Sequence, residues 1–203
     1  NPAGPNNILG LALAAIAPFA VAFVASMAVF RDDDETSAKK AVTAAPKGES
    51  KAKAVTIQAP ADGTVRAMTS SSDEVFASET LGKGCLILPD NGSVYAPVTG
   101  TVCSLFPTKH AIGLISEDGV EILLHIGINT VALEGKYFEE KVKQGDSVKA
   151  GQLLLTFDKE AIEKAGYSTE IPMVITNYKE YLDVVELDHE HHAHGDDIVK
   201  IIQ

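Results

Sequence analysis

Two histidines carry most of the chemistry this sequence offers. His125 sits inside "EILLHIGINTV" (Glu121–Val131), an apolar strand-like run in which a buried imidazole needs a partner. His110 opens a second such run, "HAIGLIS", and "EDG" (Glu117–Gly119) supplies a turn between them. Read as a hairpin, the loop length decides whether the imidazoles meet. With Asp118-Gly119 as the loop, His110 faces Gly127 and His125 is its diagonal neighbour. With a loop over 116–119, His110 lies directly opposite His125. Either register places both rings on one face, roughly 5–8 Å apart at Cβ. A three-residue loop separates them, and the pattern does not exclude it.

A histidine pair at that distance has three readings. The rings can be structural, each satisfied by a backbone group. They can ligate metal, imidazole being a frequent zinc ligand. They can also do acid–base or phosphoryl chemistry, one ring as nucleophile and the other stabilising charge. No HxH or HExxH surrounds His125, which counts against metal. The remaining histidines cluster in "LDHEHHAHGDD", where His189, His191, His192 and His194 alternate with acids. That tract is expected to be a solvated loop before the last strand, with metal binding the alternative.

The elements that must position this pair are short strands between turns. "CLILP", "HAIGLIS", "VEILLHIG", "QLLLTF", "IPMVIT" and "DIVKII" alternate or run apolar. "APADGTV" (Ala59–Val65) returns as "APVTGTV" (Ala96–Val102), an internal echo. Asp158 before "KEAIEKA", with Gly166 as the stop, predicts one helix. The expected fold is therefore all-β, an antiparallel sandwich or barrel with an internal pseudo-repeat and one or two short helices.

Ahead of that domain, Ile8–Phe30 carries no charged residue over a length that spans a bilayer as a helix. Pro18 within it is tolerable in a membrane, and "NPAGPNN" lacks the basic region of a signal peptide. Arg31, Lys39 and Lys40 follow the run while no Lys or Arg precedes it, which places the downstream domain in the cytoplasm. The Ala-, Lys- and Ser-rich stretch up to residue 54 reads as a flexible linker. The chain is thus divided into a transmembrane span (1–30), a linker (31–54) and a folded domain (55–203). Opening on Asn1, it is expected to be a piece of a longer polypeptide. The formal charge of −11 argues against a nucleic-acid partner. Cys85 and Cys103, in no CxxC or zinc spacing, read as core thiols of a reducing compartment.

The blocks "APADGTV", "SDEVFASETLGKGCLILP", "VYAPVTGTV", "FPTKHAIGLISEDGVEILLHIGINTV", "VKQGDSVKAGQLLLTFD" and "IPMVITN" occur in an order and spacing that resemble one family. This is the glucose-type enzyme IIA domain of the bacterial phosphoenolpyruvate:sugar phosphotransferase system, and the resemblance runs from about Val55 to the C-terminus. It implies that His125 accepts a phosphoryl group, that His110 stabilises it and that Thr108 orients His110. It implies a partner-docking surface at Val75, Phe76, Leu81, Phe106, Leu123, Asn129 and Val131, Asn129 standing where the family often has Asp. No cofactor or metal is implied. The donor would be the phosphocarrier protein and the acceptor a IIB domain cysteine. Residues 1–30 look like the last span of a IIC membrane domain in the same polypeptide, as in β-glucoside, sucrose and trehalose-type permeases. The IIA domain would then lie on the cytoplasmic side of the inner (plasma) membrane. An apolar surround favours the neutral, nucleophilic imidazole, and backbone N–H groups near Gly127 are expected to help hold the phosphoryl oxygens. Two other classes stand beside this one. They are a zinc hydrolase on a related β scaffold, and a non-catalytic carrier or regulatory module suggested by "GDSVKAGQLL".

Overall fold

The computed structural model describes residues 54–203. The expected membrane span and most of the linker lie outside them. Among the described residues no helix is long and apolar enough to cross a membrane.

In chain order the strands are β1 (Ala54–Gln58), β2 (Gly63–Ala67), β3 (Lys83–Pro89), β4 (Ser93–Tyr95), β5 (Gly100–Leu105), β6 (Ala111–Ser116) and β7 (Glu121–His125). They continue with β8 (Phe138–Glu140), β9 (Ser147–Val148), β10 (Leu153–Phe157), β11 (Ile171–Ile175), β12 (Asp183–Glu186), β13 (His191–His192) and β14 (Asp197–Ile202). Every strand pairing is antiparallel. An eight-stranded sheet of order β13-β2-β3-β11-β7-β6-β5-β9 is flanked by two three-stranded ones, β1-β14-β12 and β4-β10-β8. All six predicted strands form.

The described residues form two short α-helices, α1 (Glu74–Ala77) and α2 (Lys159–Lys164). The predicted one is α2: the Asp158 carboxylate accepts from the Ala161 N–H (3.0 Å), and Gly166 ends it at φ +88°. Asp73 caps α1 in the same way, accepting from the N–H groups of Val75 and Phe76.

The large sheet is a palindrome centred on the β11–β7 pair, where Met173 faces Leu124. This is the internal echo made structural. Gln58 N–H donates to Pro97 O and Tyr95 N–H to Pro60 O, so the two proline segments bond to each other reciprocally. A Cβ at Gly63 would stand 2.2 Å from the Leu88 carbonyl oxygen, and one at Gly100 2.1 Å from that of Ile115. Each glycine thus admits its hairpin partner at the same point of the repeat. Against expectation, the histidine-rich tract is not a plain loop. His191–His192 pairs with β2 as Ser147–Val148 pairs with β5, because the tract occupies the mirror position of the "GDSVKAG" turn.

The hairpin that carries the histidines has the register that was expected to part them. Ala111 faces His125 and Ile112 faces Leu124 across a three-residue loop, Glu117–Asp118–Gly119, with Gly119 at φ +82°. Both two- and four-residue loops are therefore incorrect. On β7 the even-numbered Ile122 and Leu124, followed by Ile126, are fully buried in the core. Glu121, Leu123 and His125 point to the other face.

Candidate functional site

Strict alternation would send His110, opposite Ile126, to the core side. Its ring nevertheless lies 5.0 Å from that of His125, edge to face at 74°. The reason is local. His110 stands one residue ahead of β6, and Lys109 before it turns the chain at φ +57°, so the pleat has not begun. Its carbonyl still accepts from the Ile126 N–H (2.6 Å), which closes the hairpin's open end. The expected neighbours meet, by a turn rather than by register.

His125 is held from one side only. Its Nδ1 lies 2.7 Å from the Gly127 carbonyl oxygen, and since a carbonyl only accepts, Nδ1 carries the proton. Nε2 is then the lone-pair nitrogen of the ring. Gly127 can present its carbonyl there because it adopts φ +75°. A Cβ at that position would stand 2.5 Å from Thr130 Cγ2 and 2.7 Å from the Ser168 carbonyl oxygen. The loop is strapped by Gly127 N–H to Glu170 O (3.0 Å), Ile128 N–H to Ser168 O (3.0 Å) and Thr130 Oγ1–H to Ile126 O (2.6 Å). The N–H groups of Gly127 and Ile128 are thus engaged within the protein in this conformation.

His110 is almost wholly buried (1 % exposed), and its Nδ1 shares a 2.6 Å hydrogen bond with Thr108 Oγ1. Phe76 of α1 packs on His125 (centroids 5.1 Å apart) and Phe106 on His110 (5.8 Å). Burial drives the His125 pKa down to about 4, against the opposing pull of the Gly127 carbonyl and the Asp73 carboxylate. Burial first, and then repulsion from His125, brings His110 to about 3. Both rings are neutral at pH 7, and Nε2 of His125 carries a lone pair with no proton to remove.

The residues expected on the docking surface divide in two. Phe76 and Leu123 are nearly covered (3 % and 6 % exposed), Phe76 lying against the His125 ring and Leu123 on the same face of β7 as His125. Val75, Leu81, Phe106 and Val131 are half-buried, and Asn129 is exposed. Asn129 holds the left-handed conformation (φ +59°), which Asn and Asp both tolerate. Sequence reasoning missed Asp73, whose cap position before "EVFA" was a readable signal. It also missed Glu170, a carboxylate only 9 % exposed one residue ahead of an apolar strand.

In the histidine-rich tract each imidazole has its own carboxylate. His191 pairs with Asp90 (2.7 Å), His194 with Asp62 (2.7 Å), His192 with Asp188 (2.5 Å) and His189 with Glu186. Among the described residues no three such groups converge as a metal site. Cys85 and Cys103 are buried free thiols, and burial raises both, Cys103 to about 12.

Residues 55–181 match the family model "phosphoenolpyruvate-dependent sugar phosphotransferase system, EIIA 1". The chain belongs to that family and carries an EIIA domain of the sugar phosphotransferase system, a phosphotransferase component. A β-glucoside-specific EIIBCA component of Dickeya chrysanthemi is 42% identical over 184 residues, covering 88% of this chain and 29% of its own length. A glucose-specific EIIA component of Bacillus cereus is 46% identical over 128 residues, or 63% of this chain and 78% of that protein. The solved glucose permease IIA from Mycoplasma capricolum superposes with a TM-score of 0.67 at 37% identity, covering 73% of this chain and 96% of that one. This chain spans under a third of the length of the Dickeya relative.

Proposed function

We propose that His125 Nε2 is the phosphoryl acceptor, and the observation that carries this is the Nδ1–H bond to the Gly127 carbonyl. It fixes the tautomer and the ring plane before any partner docks. A bond forms from Nε2 to phosphorus as the donor's bond to phosphorus breaks, its electron pair returning to the donor. No proton has to move at Nδ1. His110 lies edge-on at the same site, and when the Thr108 hydroxyl donates to its Nδ1, its Nε2–H is the donor for a phosphoryl oxygen. Partners would dock over Phe76 and Leu123, contacting Val75, Leu81, Phe106, Asn129 and Val131.

The donor in this reading is the phosphocarrier protein, and the acceptor is a cysteine of a IIB domain. The relatives' fused EIIBCA and EIICBA names support IIB and IIC domains in the same polypeptide. The 184 residues aligned to the Dickeya protein outnumber those from Val55 onward, so part of the similarity lies before the EIIA domain. That supports residues 1–30 as a membrane span, 31–54 as a linker and 55–203 as the EIIA domain, held at the cytoplasmic face of the plasma membrane. The test is label transfer from phosphoenolpyruvate through enzyme I and the phosphocarrier protein. His125→Ala should take none, whereas His110→Gln should accept label but pass it on slowly. Wild-type labelling of His125→Ala would refute the assignment.

A further inference from the structure

Glu170 stands one residue ahead of β11, outside the histidine pair, and its two ends serve two different parts of the site. Its backbone carbonyl accepts from the Gly127 N–H (3.0 Å), and the carbonyl of Gly127 is the one that orients His125. Its side-chain Oε1 accepts three hydrogen bonds from one short segment: Ser71 Oγ (2.8 Å), Ser72 N–H (2.9 Å) and Ser72 Oγ (3.0 Å). Ser71 Oγ in turn accepts from the Asp73 N–H (3.2 Å), and Asp73 caps α1. α1 has only four residues, too few to hold itself together, and it brings Phe76 against the His125 ring. A buried carboxylate with three donors on one oxygen is strongly held, because charged acceptors make the shorter, stronger bonds.

We propose that Glu170 is a positioning residue for His125, clamping the 71–77 segment over one face of the ring while holding the Gly127 loop that fixes its edge. This rests on His125 being the phosphoryl acceptor. The groups around the ring are His110, Asp73, Phe76 and the Gly127 carbonyl. Without the clamp, α1 lifts, water reaches the ring and the Asp73 carboxylate moves away. The backbone bond from Gly127 survives any side-chain change, so the two halves of the role separate experimentally.

The test uses Glu170→Ala and Glu170→Gln in the 203-residue chain, with two readouts. In phosphoryl acceptance from the phosphocarrier protein, Glu170→Ala should lose roughly ten- to a hundred-fold in kcat, with the donor KM within about threefold. In an NMR titration of the His125 ring, its midpoint should rise toward the ordinary histidine value in Glu170→Ala as the ring gains solvent. Glu170→Gln, which keeps an acceptor oxygen, should recover most of both. If Glu170→Ala unfolds, the double variant Ser71→Ala/Ser72→Ala removes the two hydroxyl bonds from the other side, leaving only the Ser72 N–H bond, and should shift both readouts in the same direction by a smaller amount. A lowered Tm with unchanged kcat and an unchanged His125 midpoint would reduce Glu170 to a structural strut and overturn the proposal. Should wild-type protein take no label at all, the acceptor reading fails, and the titration still decides whether Glu170 positions the ring.

Discussion

Gly127→Ala is the sharpest single perturbation of this site. The backbone there is left-handed (φ +75°), which costs a residue with a Cβ about 1–2 kcal/mol. The new methyl also meets two atoms closer than van der Waals contact allows, Thr130 Cγ2 at 2.5 Å and Ser168 O at 2.7 Å. Neither yields readily. Thr130 is tied to Ile126 O through its hydroxyl, and the Ser168 carbonyl is engaged by the Ile128 N–H. Overpacking of this kind adds about 1–3 kcal/mol, so the variant should lose about 2–5 kcal/mol, a large share of an ordinary domain's stability. Urea unfolding should show a lower midpoint at an unchanged slope. The folded fraction should be functionally impaired as well, because relieving the clash moves the carbonyl that holds His125 Nδ1–H. Nitrogen NMR of the ring should then show mixed tautomers, and phosphoryl acceptance should fall at least about tenfold. A variant within about 0.5 kcal/mol of wild type, with the Nδ1–H tautomer and full acceptance intact, would refute this account of the loop.

Two further predictions follow from burial. The neutral His125 and His110 have folded-state pKa values of about 4 and about 3, below the unfolded value near 6.5, so the unfolded chain binds more protons between these limits. Stability should be full above about pH 6.5 and fall as pH drops toward 4, by about 3 kcal/mol from His125. His125→Gln should flatten that slope in pH-dependent urea unfolding, and an unchanged slope would contradict a ring held neutral in the fold. Cys85 and Cys103, buried and raised, should resist a thiol reagent at pH 8 in the native protein and react fully in urea. Reaction at native conditions on the timescale of a free thiol would count against their burial.

The six apolar runs became strands because their period and flanking turn residues left little choice. The Asp158 helix followed from a capping signal confined to a few residues. The histidine pair was legible for a different reason than the hairpin arithmetic supplied. Loop length could not be read from "SEDGV", since Gly119 suits two-, three- and four-residue turns alike. What joined the rings was the left-handed turn at Lys109, and lysine carries no signal for that conformation. The Gly127 carbonyl and the Glu170 clamp were hidden because both depend on β11 lying beside β7, a contact between segments far apart in sequence.

The palindromic sheet makes the molecule its own control. Turning it about the Met173–Leu124 pair carries His110 onto Lys83 and His125 onto Val174, since Ala111 faces His125 as Gly84 faces Val174. The same scaffold is thus present twice, once carrying the imidazoles and once with a valine only 1 % exposed and a lysine ion-paired to Asp183. Strand pairing alone is therefore not what brings two imidazoles together. The difference between the halves lies in the few residues around each hairpin mouth, which sets a compact target for grafting a second imidazole pair onto the other half.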